Sequence, residues 1–342
     1  MKNLIYLLTA VFALSVCNDA FAQRRNKNKE PKLKVKSSVM TSSWRFDGNI
    51  TPSPAVRNNQ GNTVSNAVTN NQPVAVPTSD VDRDIPNSGM KDPNPNMVAL
   101  IIANENYSQV ENVKFAHHDG DVFREYCEKT LGIESRKILY EKDVTLGALN
   151  NIVDKFKSYM SVLNGNVKAI VYYAGHGVPD KTSQKGYILP TDCKADQNGY
   201  SLEDLYRELA TVPHKSITYF IDACFSGTKR DDGMLIASRG TAVKAQPSRL
   251  YGKSVVFSAA TSDQTAFPYT QKGHGVFTYA LLKALQTSEG RISYKDLYER
   301  IKNDVAEICV LDIDKADRMQ TPTVSPSNDV KYNNLWQKWT LK

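Results

Sequence analysis

The 342-residue sequence predicts an α/β fold in which helices sandwich a mostly parallel central sheet. Three features carry this. Apolar runs and helical periods alternate from about residue 97 onward, the pattern left by strand–helix–strand units. The apolar runs are continuous, as in strands covered on both faces. Glycines and small polar residues stop or start the periodic segments.

The elements follow in order. "MVALIIA", beginning at Met97, is the first buried strand; later runs "VKAIVYY" (167–173), "SITYFID" (216–222) and "KSVVFSA" (253–259) are three more. Residues 117–131 place Val122, Phe123, Tyr126 and Leu131 at helical spacing and stop at Gly132, a natural helix terminator. Residues 146–163 repeat the period with Leu146, Leu149, Val153, Phe156, Met160 and Leu163. Further helices are predicted over 202–210, 276–286 and 294–308, with Ser201 and Ser293 as N-caps of the first and last.

The part before Met97 is different. Lys2, an apolar stretch from Leu4 to Val16 and the small-residue ending Ala20-Phe21-Ala22 read as a cleavable secretory signal over residues 1–22, so an exported protein, periplasmic or secreted, is expected. Residues 23–95 begin with a basic cluster (Arg24, Arg25, Lys27, Lys29, Lys32, Lys34, Lys36) and continue rich in Asn, Ser, Thr and Pro. This stretch has too few large apolar residues to offset its ordering entropy and is expected to be a disordered tether. The basic cluster contributes to the formal charge of +7 and is read as a solvated tail; no nucleic-acid partner is expected. No stretch is long and apolar enough for a transmembrane anchor. The ordered domain is expected over 96–342.

Of the cysteines after the signal, Cys127 and Cys309 lie in helical patterns and Cys193 in a loop after "GYILPTD". Cys224 is set differently. It follows the run "TYFIDA" and precedes Gly227, while His176 follows "AIVYYAG" and is flanked by Gly175 and Gly177. Both therefore stand at the carboxyl end of a predicted strand, where ligands bind in open α/β sheets. His117, His118, His214 and His274 lack this combination of flanking glycines and an apolar strand end. A Cys and a His facing each other there suit acyl transfer, because an imidazole can generate the attacking thiolate and then protonate a leaving amine. The backbone N–H groups of Gly177 and Cys224 are placed in sequence to serve as an oxyanion hole. If Cys224 stays a thiol, three cysteines remain, so a disulfide scaffold is not expected. His176 and Cys224 alone are too few ligands for a structural zinc site.

In these residues the sequence resembles the caspase-like cysteine peptidases, the peptidase C14 family, and in particular its bacterial metacaspase-type members. The resemblance covers roughly residues 96–342 and rests on His176-Gly177, the Asp-Ala-Cys-x-Ser-Gly motif at 222–227, "VALIIANENY", "GYILPTD", "SAATSDQTAF" and "GVFTYALLKAL". It implies the caspase-haemoglobinase fold, His176 as general base and acid, and Cys224 as nucleophile. Asp222-Ala223-Cys224 stands where caspases have Gln-Ala-Cys; the metacaspases it resembles cleave after Arg or Lys. Asp119, in "AHHDGD", matches a second acidic pocket position, so the resemblance implies Asp119 and Asp222 as substrate-binding residues for a peptide with Arg or Lys before the scissile bond. An acid in the first turn of a helix is the other reading of Asp119. No cofactor is required by this chemistry. Metacaspases often use Ca2+, and Asp192, Glu203, Asp204 and Asp231 fall at loosely similar places, although ordinary surface acids account for such a set as well. Residues 228–253 correspond to the interchain linker of caspases and offer Lys229, Arg230, Arg239, Lys244 and Arg249 for self-cleavage. A monomer is expected. A catalytically silent caspase-fold scaffold and a cell-envelope transpeptidase are the two alternatives.

Overall fold

The computed structural model describes residues 76–197, 199–226, 245–311 and 319–342. The expected signal, the basic cluster, the tether up to residue 75, Gly227, Asp231 and residues 228–244 of the linker lie outside the described residues.

The chain enters through two short helices, α1 (Asp80–Arg83) and α2 (Ser88–Lys91), followed by β1 (Met97–Ala103), α3 (Ala116–Lys129), β2 (Ile138–Lys142) and α4 (Leu146–Ser161). Next come β3 (Lys168–Ala174), the small strands β4 (Gly177–Pro179), β5 (Gly186–Ile188) and β6 (Tyr200–Ser201), then α5 (Leu202–Ala210) and β7 (Ser216–Asp222). The last part holds β8 (Ser254–Ser258), β9 (Pro268–Tyr269), β10 (His274–Gly275), α6 (Val276–Ser288), α7 (Tyr294–Leu311), β11 (Thr323–Pro326) and α8 (Asn328–Lys331).

Six strands form the central sheet in the order β11-β8-β7-β3-β1-β2. Five are parallel, and β11 runs antiparallel to β8 at one edge. The four strands expected from continuous apolar runs are the four inner ones. Their side chains alternate between two cores. Ala99, Ile101, Ile170, Tyr172, Phe220 and Phe257 meet the inner faces of α3, α6 and α7, whereas Leu100, Ile102, Val171, Tyr173, Tyr219 and Ile221 meet α4 and α5. Phe123 of α3 stacks on Tyr172 at 4.5 Å, and Phe220 on Phe257 at 5.2 Å between ring centroids. Each such fully buried ring contributes about 2–3 kcal/mol of apolar transfer energy.

The expected caps form. Ser201 accepts from the backbone N–H of Asp204, and Ser293 from that of Asp296, satisfying donors that the first helical turn leaves unpaired.

The described structure begins at residue 76, twenty residues ahead of the domain start expected at 96. Val81 is buried, and its carbonyl accepts from the Tyr126 hydroxyl at 2.9 Å. Asp80 receives Lys283 at 2.6 Å, Lys272 at 3.2 Å and the Tyr279 hydroxyl at 3.0 Å. Composition alone argues for disorder because residues 76–95 carry little apolar surface. Their order comes from ion pairs and hydrogen bonds to α6 and its approach, which a local reading does not contain.

Candidate active site

The register of the sheet brings the two expected reactive residues to one place. Ala174, the last residue of β3, pairs with Asp222, the last of β7, and the Gly175 N–H donates to the Asp222 carbonyl at 3.3 Å. His176 and Cys224 each lie two residues beyond that pair. Their strands are hydrogen-bonded neighbours, so the two side chains share the carboxyl rim of the sheet. Both are buried, His176 at 5% and Cys224 at 7% exposure.

Tyrosines that the sequence reading did not single out hold the His176 backbone. The Tyr107 hydroxyl accepts from the His176 N–H at 2.8 Å, and the Tyr173 hydroxyl donates to the His176 carbonyl at 2.6 Å. A Cβ on Gly175 would sit 2.5 Å from the Tyr173 hydroxyl oxygen and 2.8 Å from that of Tyr107, so a glycine is needed for both tyrosines to close in. The His176 Nε2 lies 2.7 Å from the Glu111 carbonyl. A carbonyl only accepts, so Nε2 carries a proton and Nδ1 is the nitrogen able to take one. Replacing Tyr107 with Phe leaves the buried His176 N–H without that acceptor, at a cost of about 1–3 kcal/mol. As a positioning residue, Tyr107 is expected to act on kcat, which falls roughly tenfold to a hundredfold with KM little changed. Steady-state kinetics on a peptide substrate check this, and an unchanged kcat would remove Tyr107 from the positioning role.

The Cys224 sulfur accepts from the Ala266 N–H and lies 3.7 Å from the Ala266 carbonyl. The amide N–H can donate to a thiolate and the carbonyl can accept a hydrogen bond from a thiol, so the same residue has a partner for either form of the sulfur. Gly177 is packed against the nucleophile's backbone: a Cβ there would lie 2.7 Å from the Cys224 carbonyl oxygen and 2.5 Å from the Phe225 ring. The two residues expected to supply oxyanion-hole donors are thus in contact across the strand ends.

Asp119 and Asp222 both reach the start of α6. Asp222 accepts from the Thr278 hydroxyl at 2.6 Å, and Thr278 in turn meets the Tyr172 hydroxyl at 2.7 Å. Asp119 accepts from the N–H of Gly275, the residue capping α6, at 3.1 Å. Negative charge is favoured at that end of a helix. Both carboxylates have 0% exposure. Asp119 also pairs with His274 Nδ1 at 2.8 Å, while the other ring nitrogen of His274 lies 2.8 Å from Asp82. Burial alone would push the His274 imidazole down, but its bonds to Asp119 and Asp82 more than reverse this and hold it up at about 9. In this structure Asp119, expected to meet a substrate cation, serves an internal one. His274 follows no apolar strand, and the only local signal it carries in the sequence is the glycine on either side, Gly273 and Gly275.

The acids suggested for Ca2+ are not assembled among the described residues. Asp192 accepts from the Leu146 N–H at the start of α4, Glu203 pairs with Lys185, and Asp204 pairs with Arg207. Cys193, the thiol the sequence places in a loop, is buried beside Asp192, and both burial and that carboxylate push its pKa up, which makes it a poorer nucleophile. Burial likewise raises the thiols of Cys127 and Cys309. Among the described residues no helix is long and apolar enough to cross a membrane.

No curated protein matches the chain. Among solved structures it is similar to caspase-1 from Spodoptera frugiperda, at 18% sequence identity and a TM-score of 0.47, with 73% of this chain and 94% of that chain covered. A family model described as "Caspase domain" matches residues 96–332, which span both β3 and β7 with their reactive termini. The chain belongs to the caspase-domain family and has its α/β cysteine-peptidase fold.

Proposed function

We propose that this protein is an exported, monomeric cysteine endopeptidase that hydrolyses protein substrates after Arg or Lys. The observation that carries the reading is the Ala174–Asp222 register, which sets His176 and Cys224 at adjacent strand ends. In the proposed reaction the Cys224 thiolate adds to the scissile carbonyl carbon, and the oxyanion is met by the N–H groups of Gly177 and Cys224. Collapse breaks the C–N bond as the His176 imidazolium gives its proton to the leaving amine. The thioester left on Cys224 is then attacked by a water whose proton passes to His176, which releases the carboxylic acid and restores the thiolate–imidazolium pair.

The basic preference is supported by two buried carboxylates at the start of α6, one of them two residues before the nucleophile. For a substrate cation to reach Asp119, it would have to exchange with the His274 contact. Arg249, with the basic residues of 228–244, offers such an enzyme cleavage points in its own linker.

Matched fluorogenic peptides ending in Arg, Lys or Asp, assayed with the wild type and Cys224→Ala, test this. Cleavage after Arg or Lys that disappears in Cys224→Ala is expected. Preference for Asp would sink the acidic-pocket reading, and no cleavage of any peptide, after attempted processing and with or without Ca2+, would turn the assignment to a scaffold.

A further inference from the structure

A second cluster of chemistry-bearing side chains lies outside the cysteine–histidine pair, where α1, α3 and β10 meet. We propose that Asp82, His118 and His274 form a transition-metal site, suited to Zn2+, that fastens the segment ahead of the caspase domain to the entrance of α6. This proposal does not rest on the peptidase assignment.

One donor atom from each of the three residues lies within 4.8 Å of the other two. Asp82 Oδ1 is 2.8 Å from His274 Nε2 and 3.4 Å from His118 Nε2. Ligand atoms about 2.0–2.1 Å from a tetrahedral zinc are roughly 3.4 Å from each other, so small adjustments would open the cluster around an ion. The His118 Nε2 is shielded from solvent and makes no hydrogen bond; its 3.4 Å approach to Asp82 is an ion-pair distance only. A buried polar atom in that condition calls for a partner, and a cation beside Asp82 would supply it.

The surroundings are built as metal-site surroundings are. The His274 Nδ1 is bonded to Asp119 Oδ1 at 2.8 Å, which turns Nε2 toward Asp82. A carboxylate behind a ligating imidazole fixes the tautomer and raises ligand basicity. Asp119 is itself held by the Gly275 N–H, and Asp82 Oδ2 by the Ser79 N–H at 2.5 Å. With neutral imidazoles the two carboxylates balance a divalent ion. Two nitrogens and one oxygen favour Zn2+ over Ca2+, which takes oxygen ligands, and three protein ligands leave a fourth position for water. The consequence is mechanical: Asp82 belongs to α1, His118 to α3, and His274 to β10, so one ion ties together three segments far apart in sequence.

The test uses full-length protein carrying Cys224→Ala, which removes the one thiol placed beside a histidine at the rim. Equilibrium dialysis against Zn2+ with a competing chelator is expected to give one ion per chain, and introducing His118→Ala to remove it. Asp82→Asn is the second variant and should do the same if His118→Ala folds poorly. Substitution with Co2+ should give the visible bands of a four-coordinate nitrogen–oxygen site without a thiolate charge-transfer band. Equal binding with and without His118 and Asp82, a thiolate band, or no binding at all would each overturn the proposal.

Discussion

Replacing His274 with Gln is expected to lower the melting temperature of the metal-free protein by on the order of 10 °C, the largest stability change expected from a side chain outside the two cores. The His274 ring is fully buried between Asp119, also fully buried, and Asp82, whose side chain is only 8% exposed. Removing one partner of a buried ionic pair costs about 3–5 kcal/mol, because the remaining charge is left in a medium that cannot solvate it. Gln can donate toward one carboxylate but cannot carry the positive charge that balances both. The pH dependence follows from the same contacts. The His274 pKa is raised from 6.5 to about 9, so its contribution is fully present below the unfolded value and is lost as pH rises through about 9. Asp82 is shifted the other way: burial opposes the charge, but the neighbouring His118 imidazole, the hydrogen-bonded His274 and the Ser79 N–H hold it well below the usual carboxylate range, so its contribution is lost only in strong acid. Melting curves by circular dichroism in the presence of a chelator should show the wild type losing stability between pH 6.5 and 9, with His274→Gln much flatter across that range. Parallel curves would mean that His274 does not bridge the two acids as an imidazolium.

That cluster also marks the limit of what the sequence made legible. Strands β1, β3, β7 and β8 could be read because each is a continuous apolar run, the signature of burial on both faces. Strand β2 is not legible in this way, because "ILYEK" lies at a sheet edge and is only half apolar, with one of its five residues buried. Strand β11 is hidden for a related reason: it is a four-residue edge strand ending in Pro326, where local propensity argues against a strand. His176 and Cys224 were legible because chemistry and punctuation coincide at a strand end. The parts that support them, the Tyr107 and Tyr173 hydroxyls and the Glu111 and Ala266 backbones, were not, since their roles arise from contacts across 40 or more residues in all but Tyr173. The α1 segment is the sharpest case. Its composition argues for disorder, whereas the ion pair and hydrogen bond that hold it join residues about 200 positions apart.

Replacing His176 with Gln is expected to reduce kcat/KM by roughly three orders of magnitude, within the range that a positioned general acid–base contributes. Gln can keep a hydrogen bond to the Glu111 carbonyl but can neither take the thiol proton nor return it to the leaving amine. Two measurements separate this from simple loss of structure. Alkylation of Cys224 by iodoacetamide should slow at neutral pH, and its pH profile should move toward that of an ordinary thiol near about 8.5. The second is a double-variant comparison. If His176 works only through the sulfur, the Cys224→Ala,His176→Gln protein should be no less active than Cys224→Ala, because residues that act as a unit are not additive. Both outcomes follow from a register in which Ala174 faces Asp222 and the reactive residues stand two steps beyond. Independent, multiplicative losses with an unchanged alkylation profile would instead place the two side chains in separate roles, and the acyl-transfer mechanism would have to be abandoned even though the fold remained.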